Sequence, residues 1–296
     1  MSQLTLETIG GTRQQYEWYW QGQQLSIAYD ILGEGKTVLL LPALSSVSTR
    51  GEMGELAKSL ASQFQVVAVD WPGFGQSSRP PLDYRPSVYH QFIEDFVKNV
   101  INTPAAVVAA GHAAGYAMKL AKTQPDIFSH IVLAAPTWRG PLPTMGLNEE
   151  QSNILREIVR SPILGEMLYA LNTIPPFLNF MYRGHVFAKG DILTDNFIQQ
   201  KWQTTQQQGA RFASAAFVTG ALDPVQNRSE FLAWFKDLSI PVMVAIGEQS
   251  PPKSKAEMES LSQLPGVQSR LLPGSLGLHE EYADKFAEVI IPFLNS

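Results

Sequence analysis

The chain has no cysteine, which excludes disulfides, Cys-ligated zinc and a thiol nucleophile. Charge is sparse: 17% of the residues are charged, the net charge is -5 and there is no basic run. The electrostatic footprint of a nucleic-acid binder is therefore missing, and DNA and RNA are excluded as main partners. No long uninterrupted apolar run exists either. The richest stretch, Met167–Ala188, is broken by Asn172, Pro175, Pro176, Asn179 and Arg183, so no transmembrane segment is expected. The start, Met1 to Gln15, lacks the charged opening and apolar core of a secretory signal, which sets a cytoplasmic expectation. No histidine pair has helical zinc spacing, and neither a metal nor a cofactor is expected. Nothing in the sequence bears on homo-oligomerisation.

What is present is an ordinary globular composition, 45% hydrophobic, with 22 Gly and 20 Pro spread along 296 residues. Two polar-alternating stretches, Gln15–Gln21 and Gln24–Ile31, flank Gly22 and predict an antiparallel hairpin. From Thr37 the pattern changes to short apolar runs alternating with amphipathic helices. Val38–Leu41, Val66–Val69, Ala105–Ala110 and Ile131–Ala135 are the runs; Glu52–Ser62, Val88–Ile101 and Gly115–Thr123 are the helices between them. Continuous β-rich runs alternating with helices mean strands buried on both faces, hence a mostly parallel, doubly wound α/β sheet of about eight strands.

About 90 residues without a convincing strand follow, before the rhythm resumes at Val242–Ile246. This segment holds helical patterns at Glu149–Arg160, Ile163–Leu171, Leu178–Phe187 and Asn196–Gln208, interrupted by Pro175-Pro176. It is expected to be a helical cap, residues 137–227, inserted into a core domain of residues 1–136 and 228–296. The apolar face of Met167–Ala188 is expected to pack on the core as a lid rather than dock on a membrane.

Asp70-Trp71-Pro72-Gly73-Phe74-Gly75-Gln76-Ser77 follows the strand Val66–Val69 and resembles the D-x-P-G-x-G-x-S stretch of α/β-hydrolases. After the next strand, Gly111-His112-Ala113-Ala114-Gly115 resembles the G-x-S-x-G nucleophile elbow, a strained strand-to-helix turn. Together they identify an α/β-hydrolase fold covering nearly the whole chain, similar to the capped epoxide hydrolase and dehalogenase-like branch.

The resemblance implies a nucleophile, an acid and a histidine at set places. Ala113 occupies the nucleophile position and carries only a methyl group. The acid position after Val242–Ile246 falls on Ser250 of Gly247-Glu248-Gln249-Ser250-Pro251, with Glu248 read as a solvated residue. Pro136-Thr137-Trp138-Arg139 supplies no alternative carboxylate. The family histidine falls near Leu276 or Gly277, so His279, two or three residues late, is the candidate base. Backbone amides of Leu44 and Ala114 are the expected oxyanion donors. Ser45, His112, Trp138, Tyr182 and Trp202 are pocket candidates, with Arg139, Arg183 and Arg211 as weaker ones. His90, His112, His130 and His185 are expected to have structural or solvent-facing roles.

These departures favour a protein that binds a small apolar molecule under its cap without conventional hydrolysis. Three alternatives stay open: a serine ester hydrolase carrying a Ser-to-Ala change at position 113, a non-triad enzyme using His279 or Glu248 as base, and an apolar cap serving as a protein-docking platform.

Overall fold

The computed structural model describes residues 8–101 and 104–296. The opening residues 1–7, part of the stretch searched for a secretory signal, lie outside the described residues.

Strands β1 (Thr12–Trp20) and β2 (Gln23–Leu32) pair antiparallel. Gln21 and Gly22 between them both have positive φ, 49° and 82°, the two-residue turn whose twist matches that of the strands it joins. The alternation then begins: β3 (Thr37–Leu41), α1 (Gly54–Leu60), β4 (Gln65–Val69), α2 (Pro86–Val100), β5 (Ala105–Ala110), α3 (Ala113–Thr123) and β6 (Phe128–Ala134). Seven α-helices, and a π-helical turn at Tyr182–Val186, intervene before the next strand. The α-helices are α4 (Pro141–Met145), α5 (Glu149–Arg160), α6 (Leu164–Leu171), α7 (Pro175–Met181), α8 (Asp195–Thr205), α9 (Ala210–Val218) and α10 (Arg228–Ala233). The chain closes with β7 (Val242–Gly247), α11 (Pro252–Ser262), β8 (Val267–Leu272), α12 (Leu278–Glu281) and α13 (Ala283–Leu294).

The sheet has eight strands in the order β1-β2-β4-β3-β5-β6-β7-β8. It is parallel from β4 to β8, with β2 antiparallel to β4. Every residue of β5 and β7 is buried, as an apolar strand covered by helices on both faces requires. Beside β3 the connections run in opposite directions, to β4 on one side and β5 on the other. Such a switch point opens a crevice at the carboxyl ends of the strands. The loops after β3, β5, β6 and β8 meet there.

A buried guanidinium fixes the first of these loops. Arg50, fully buried, pairs with Asp30 of β2 at 2.8 Å, with Asp70 after β4, and with Gln76 at 2.7 Å. Asp70, the acid of the D-x-P-G stretch, thus serves to satisfy a buried cation, which would otherwise be costly to desolvate.

The helices between β6 and β7 have a small core of their own, with Leu178, Tyr182, Phe187, Leu193 and Ile198 buried and Val47, Val186, Phe197 and Trp202 packed on it. Val47 belongs to the loop after β3, so this small core reaches that loop. Two expectations need correcting. Pro175 and Pro176 do lie between two of the expected helices, but the second starts on them rather than at Leu178: they open α7, where a missing N–H costs nothing and the fixed φ suits the first turn. Nor does the apolar face of Met167–Ala188 all pack inward. Met167, Leu171, Ile174, Phe177 and Phe180 are exposed, because helices this short and apolar all round bury only one side each. Among the described residues no helix is long and apolar enough to cross a membrane.

Candidate functional site

The turn from β5 into α3 carries the first correction to the site. The left-handed residue at that junction is Gly111, with φ 50°, whereas Ala113 already lies in the first turn of α3. An elbow displays its nucleophile at the strained apex of the turn, so the apex moves from Ala113 to Gly111. The expected role of the Ala114 amide is overturned with it, since that N–H is bonded to Gly111 O at 3.3 Å. The amide that follows the apex is that of His112. The reason is where β5 ends: the strand runs to Ala110, leaving no residues to carry the chain to an apex at position 113. The absence of a nucleophilic side chain at the elbow survives the correction, because Gly111 has no side chain at all.

A Cβ placed on Gly111 would stand 3.3 Å from Ala43 Cβ and 3.8 Å from Thr137 Oγ1. These two neighbours come from the loops after β3 and β6. Ala43, Gly111 and Thr137 are each half-buried while most of the residues around them are buried. The backbone between β6 and Thr137 is itself strained: Ala135, buried, has φ 43°, a region that residues with a Cβ seldom enter. Hydrogen bonds hold it there, Ala135 N to Ala245 O at 2.9 Å and Thr137 N to Gly111 O at 3.1 Å.

Two imidazole–carboxylate pairs flank the apex. On the β3 side Glu52, buried, accepts the Ala43 N–H at 2.6 Å, and the same oxygen lies 3.2 Å from His279 Nε2. His279 comes from α12 and is also buried. Its Nδ1 and the buried Ser250 Oγ have no hydrogen-bond partner among the described residues. On the β6 side Asp223 Oδ1 lies 3.0 Å from His112 Nε2 and accepts the Gly140 N–H at 2.7 Å, while His112 Nδ1 lies 3.2 Å from Thr137 Oγ1. The Phe217 ring meets His112 edge-on at 5.3 Å. Asp223 is placed by a close approach of backbone to ring: the Pro224 ring fills the space where a side chain on Gly115 would stand.

The other predicted residues divide plainly. His279 and His112 reach the apex region through these pairs. Ser250 is buried beside Gly247, and Glu248 is exposed. Ser45 shares a 2.8 Å hydrogen bond with Ser48, and Leu44 is buried in the core. Tyr182 is buried in the small core of the helices between β6 and β7, and Trp202 packs against it, half-buried. Trp138 packs against Phe231 at 6.5 Å. Arg211 pairs with Glu166, Arg183 with Asn179, and Arg139 is exposed. His90 packs at a tilt against Tyr116 at 4.7 Å, His130 meets Phe293 at 5.3 Å, and His185 is exposed. Among the described residues no group of three or more His, Cys, Asp or Glu side chains is placed to hold a metal ion.

Sequence reasoning missed Glu52, Asp223 and Thr137 as site residues. Glu52 left one trace, an acid opening a helix whose following turns face the core. Asp223 left none, because its partner His112 is 111 residues away in the chain.

The fold, the elbow and the mouth of the sheet define an α/β-hydrolase. The sequence profile of the alpha/beta hydrolase family matches residues 38–289, and the chain belongs to that family. An uncharacterized protein of Mycobacterium tuberculosis (strain CDC 1551 / Oshkosh) is 31% identical over 108 residues, which is 36% of this chain and 31% of the relative. A pimeloyl-(acyl-carrier protein) methyl ester esterase of Nitrosospira multiformis is 33% identical over 117 residues, 38% of this chain and 43% of the relative. The matches therefore span less than half the length of these curated relatives. Among solved structures, a bromoperoxidase from Bacillus anthracis superposes with TM-score 0.74 at 18% identity, covering 96% of this chain and 100% of the other. A haloalkane dehalogenase from Agrobacterium tumefaciens C58 gives TM-score 0.73 at 16% identity, covering 97% and 98%. At these identities the structures show the fold alone.

Proposed function

We propose that this α/β-hydrolase-fold protein receives a small, largely apolar molecule at the mouth of its sheet, under the inserted helices acting as a cap, and runs no covalent hydrolysis from the elbow. The observation that carries this reading is the Gly111 apex. Nothing attached to it can attack a carbonyl, and the neighbouring Ala43 amide, on the loop that usually helps bind an oxyanion, is occupied by the protein's own Glu52 carboxylate. The surroundings favour an apolar guest: Phe217 meets His112 edge-on, and the core of the inserted helices reaches the loop after β3 through Val47. His279 Nδ1 and Ser250 Oγ are buried near this region without a hydrogen-bond partner among the described residues.

The test has two arms. A thermal-shift titration with methyl esters of straight-chain acids of about four to twelve carbons should raise the melting temperature, because a ligand that binds only the folded state stabilises it. His279→Ala should reduce that shift. Peptide mapping after exposure to a fluorophosphonate probe should show no adduct on residues 109–115. An adduct at the elbow, or no stabilisation by any ester in the series, would sink the reading.

A further inference from the structure

Beside the empty apex stands a complete set of hydroxyl, imidazole and carboxylate, drawn from three separated parts of the chain. Asp223 Oδ1 accepts from the Gly140 amide and lies 3.0 Å from His112 Nε2. An ionised carboxylate only accepts, so the proton of the neutral imidazole sits on Nε2, and Nδ1 is left as an acceptor. Nδ1 faces Thr137 Oγ1 at 3.2 Å. The hydroxyl is thus hydrogen-bonded to a base whose tautomer is set by an acid, the arrangement that activates a weak oxygen nucleophile. Here the two ring nitrogens have exchanged their usual partners, but the chemistry of the relay does not depend on which nitrogen faces which group.

Position matters as much as connectivity. Thr137 Oγ1 lies 3.8 Å from where a Cβ on Gly111 would be, within the volume that an elbow side chain would otherwise command. Thr137 and Gly111 are half-buried, while His112 is buried. The base is therefore shielded, while the residue that carries the hydroxyl is partly exposed. The strain at Ala135, two residues before Thr137, is what turns the chain after β6 toward the apex instead of letting it continue along the strand. Helix α3 starts at this point, and the positive end of its dipole favours negative charge developing next to it.

We infer that Thr137 is a displaced nucleophile, with His112 as its general base and Asp223 as the residue that positions His112, acting on carboxylic esters of small apolar acids. As Thr137 Oγ1 bonds the carbonyl carbon, its proton passes to His112 Nδ1. The tetrahedral adduct then expels the alcohol oxygen, which takes that proton and leaves as the alcohol. Water attacks the resulting threonyl ester; Nδ1 takes the proton of the water and returns it to Thr137 Oγ1 as the free acid departs. The inference uses the same mouth of the sheet as the ligand reading but goes beyond it, and the two can fail separately.

The experiment is fluorophosphonate labelling of the full chain with peptide mapping, alongside p-nitrophenyl butyrate turnover. The expected adduct lies on Thr137. Thr137→Val, which keeps the shape and removes the hydroxyl, should lower labelling and turnover about 100-fold or more while leaving the ester-induced thermal shift in place. Thr137→Ser should retain labelling, which separates loss of the nucleophile from loss of packing. If the wild type carries no adduct, if the adduct maps to another residue, or if Thr137→Ser folds with the wild-type melting temperature and yet does not react, the inference is overturned. Loss of the thermal shift in all proteins with labelling of Thr137 intact would instead remove the ligand reading alone.

Discussion

At Gly111 a side chain is disfavoured twice over. The backbone there is left-handed, φ 50°, and an added Cβ would press on Ala43 Cβ at 3.3 Å. Gly111→Ala is expected to cost about 1–2 kcal/mol from the backbone alone, read from urea unfolding with an unchanged m value. Ala113→Ser, by contrast, places a hydroxyl in the first turn of α3. It is expected to fold and to give no fluorophosphonate adduct at position 113, because that position is not the apex; an adduct there would restore the elbow to Ala113. The two positions were hard to tell apart in the sequence. Gly111 and Gly115 satisfy the glycine spacing of an elbow centred on position 113, while the true centre depends on where β5 stops, and Ala109-Ala110 bear no side chain that marks a strand end. Thr137 was visible, but a hydroxyl does not announce itself when the expected group is a carboxylate.

The elements themselves were far more legible. The helix predicted over Glu149–Arg160 is α5 with the same bounds, opened by the Asn148–Gln151 capping box. The apolar runs became β3 to β7 within one to three residues at either end. Less legible was the face each short helix presents. In the loop before α6, in α6 and in α7, apolar residues follow one another too closely for periodicity to choose a side, and Ile163, Met167 and Phe180 are exposed at 86%, 55% and 66%. Replacing Ile163 and Phe180 by Ser is therefore expected to leave unfolding stability within about 0.5 kcal/mol of the parent, while fluorescence of an added apolar dye falls. A loss of several kcal/mol in urea unfolding would show that these side chains are packed after all.

For the molecule as a whole, short apolar runs alternating with helices mark a mostly parallel sheet, which is why the architecture was readable. The mouth of the sheet was not, because its pairs join residues far apart: Glu52 with His279, and His112 with Asp223. One consequence is global and titratable. Burial, with Lys119 nearby, pushes the His90 imidazole down to about 3 from its ordinary 6.5. The unfolded chain then binds a proton that the folded chain refuses between those two values, so stability rises with pH across that window and falls as the solution is acidified from pH 6.5 toward 3. His90→Gln should flatten this part of the stability profile, measured by urea unfolding at successive pH values, and leave the slope above pH 7 unchanged. An identical acid limb in the variant would assign the loss to other groups.

Glu52 bears on selectivity. Its carboxylate is tethered to the Ala43 amide through the fold, so it behaves as a bound competitor that never diffuses away. A free carboxylic acid seeking that amide would have to displace an identical group at high local concentration and bring a second negative charge beside the first. Neutral esters and alcohols meet the same tethered competitor for the amide but bring no second charge. The mouth of the sheet should therefore discriminate between an ester and the acid made from it, by charge alone and with no change of shape.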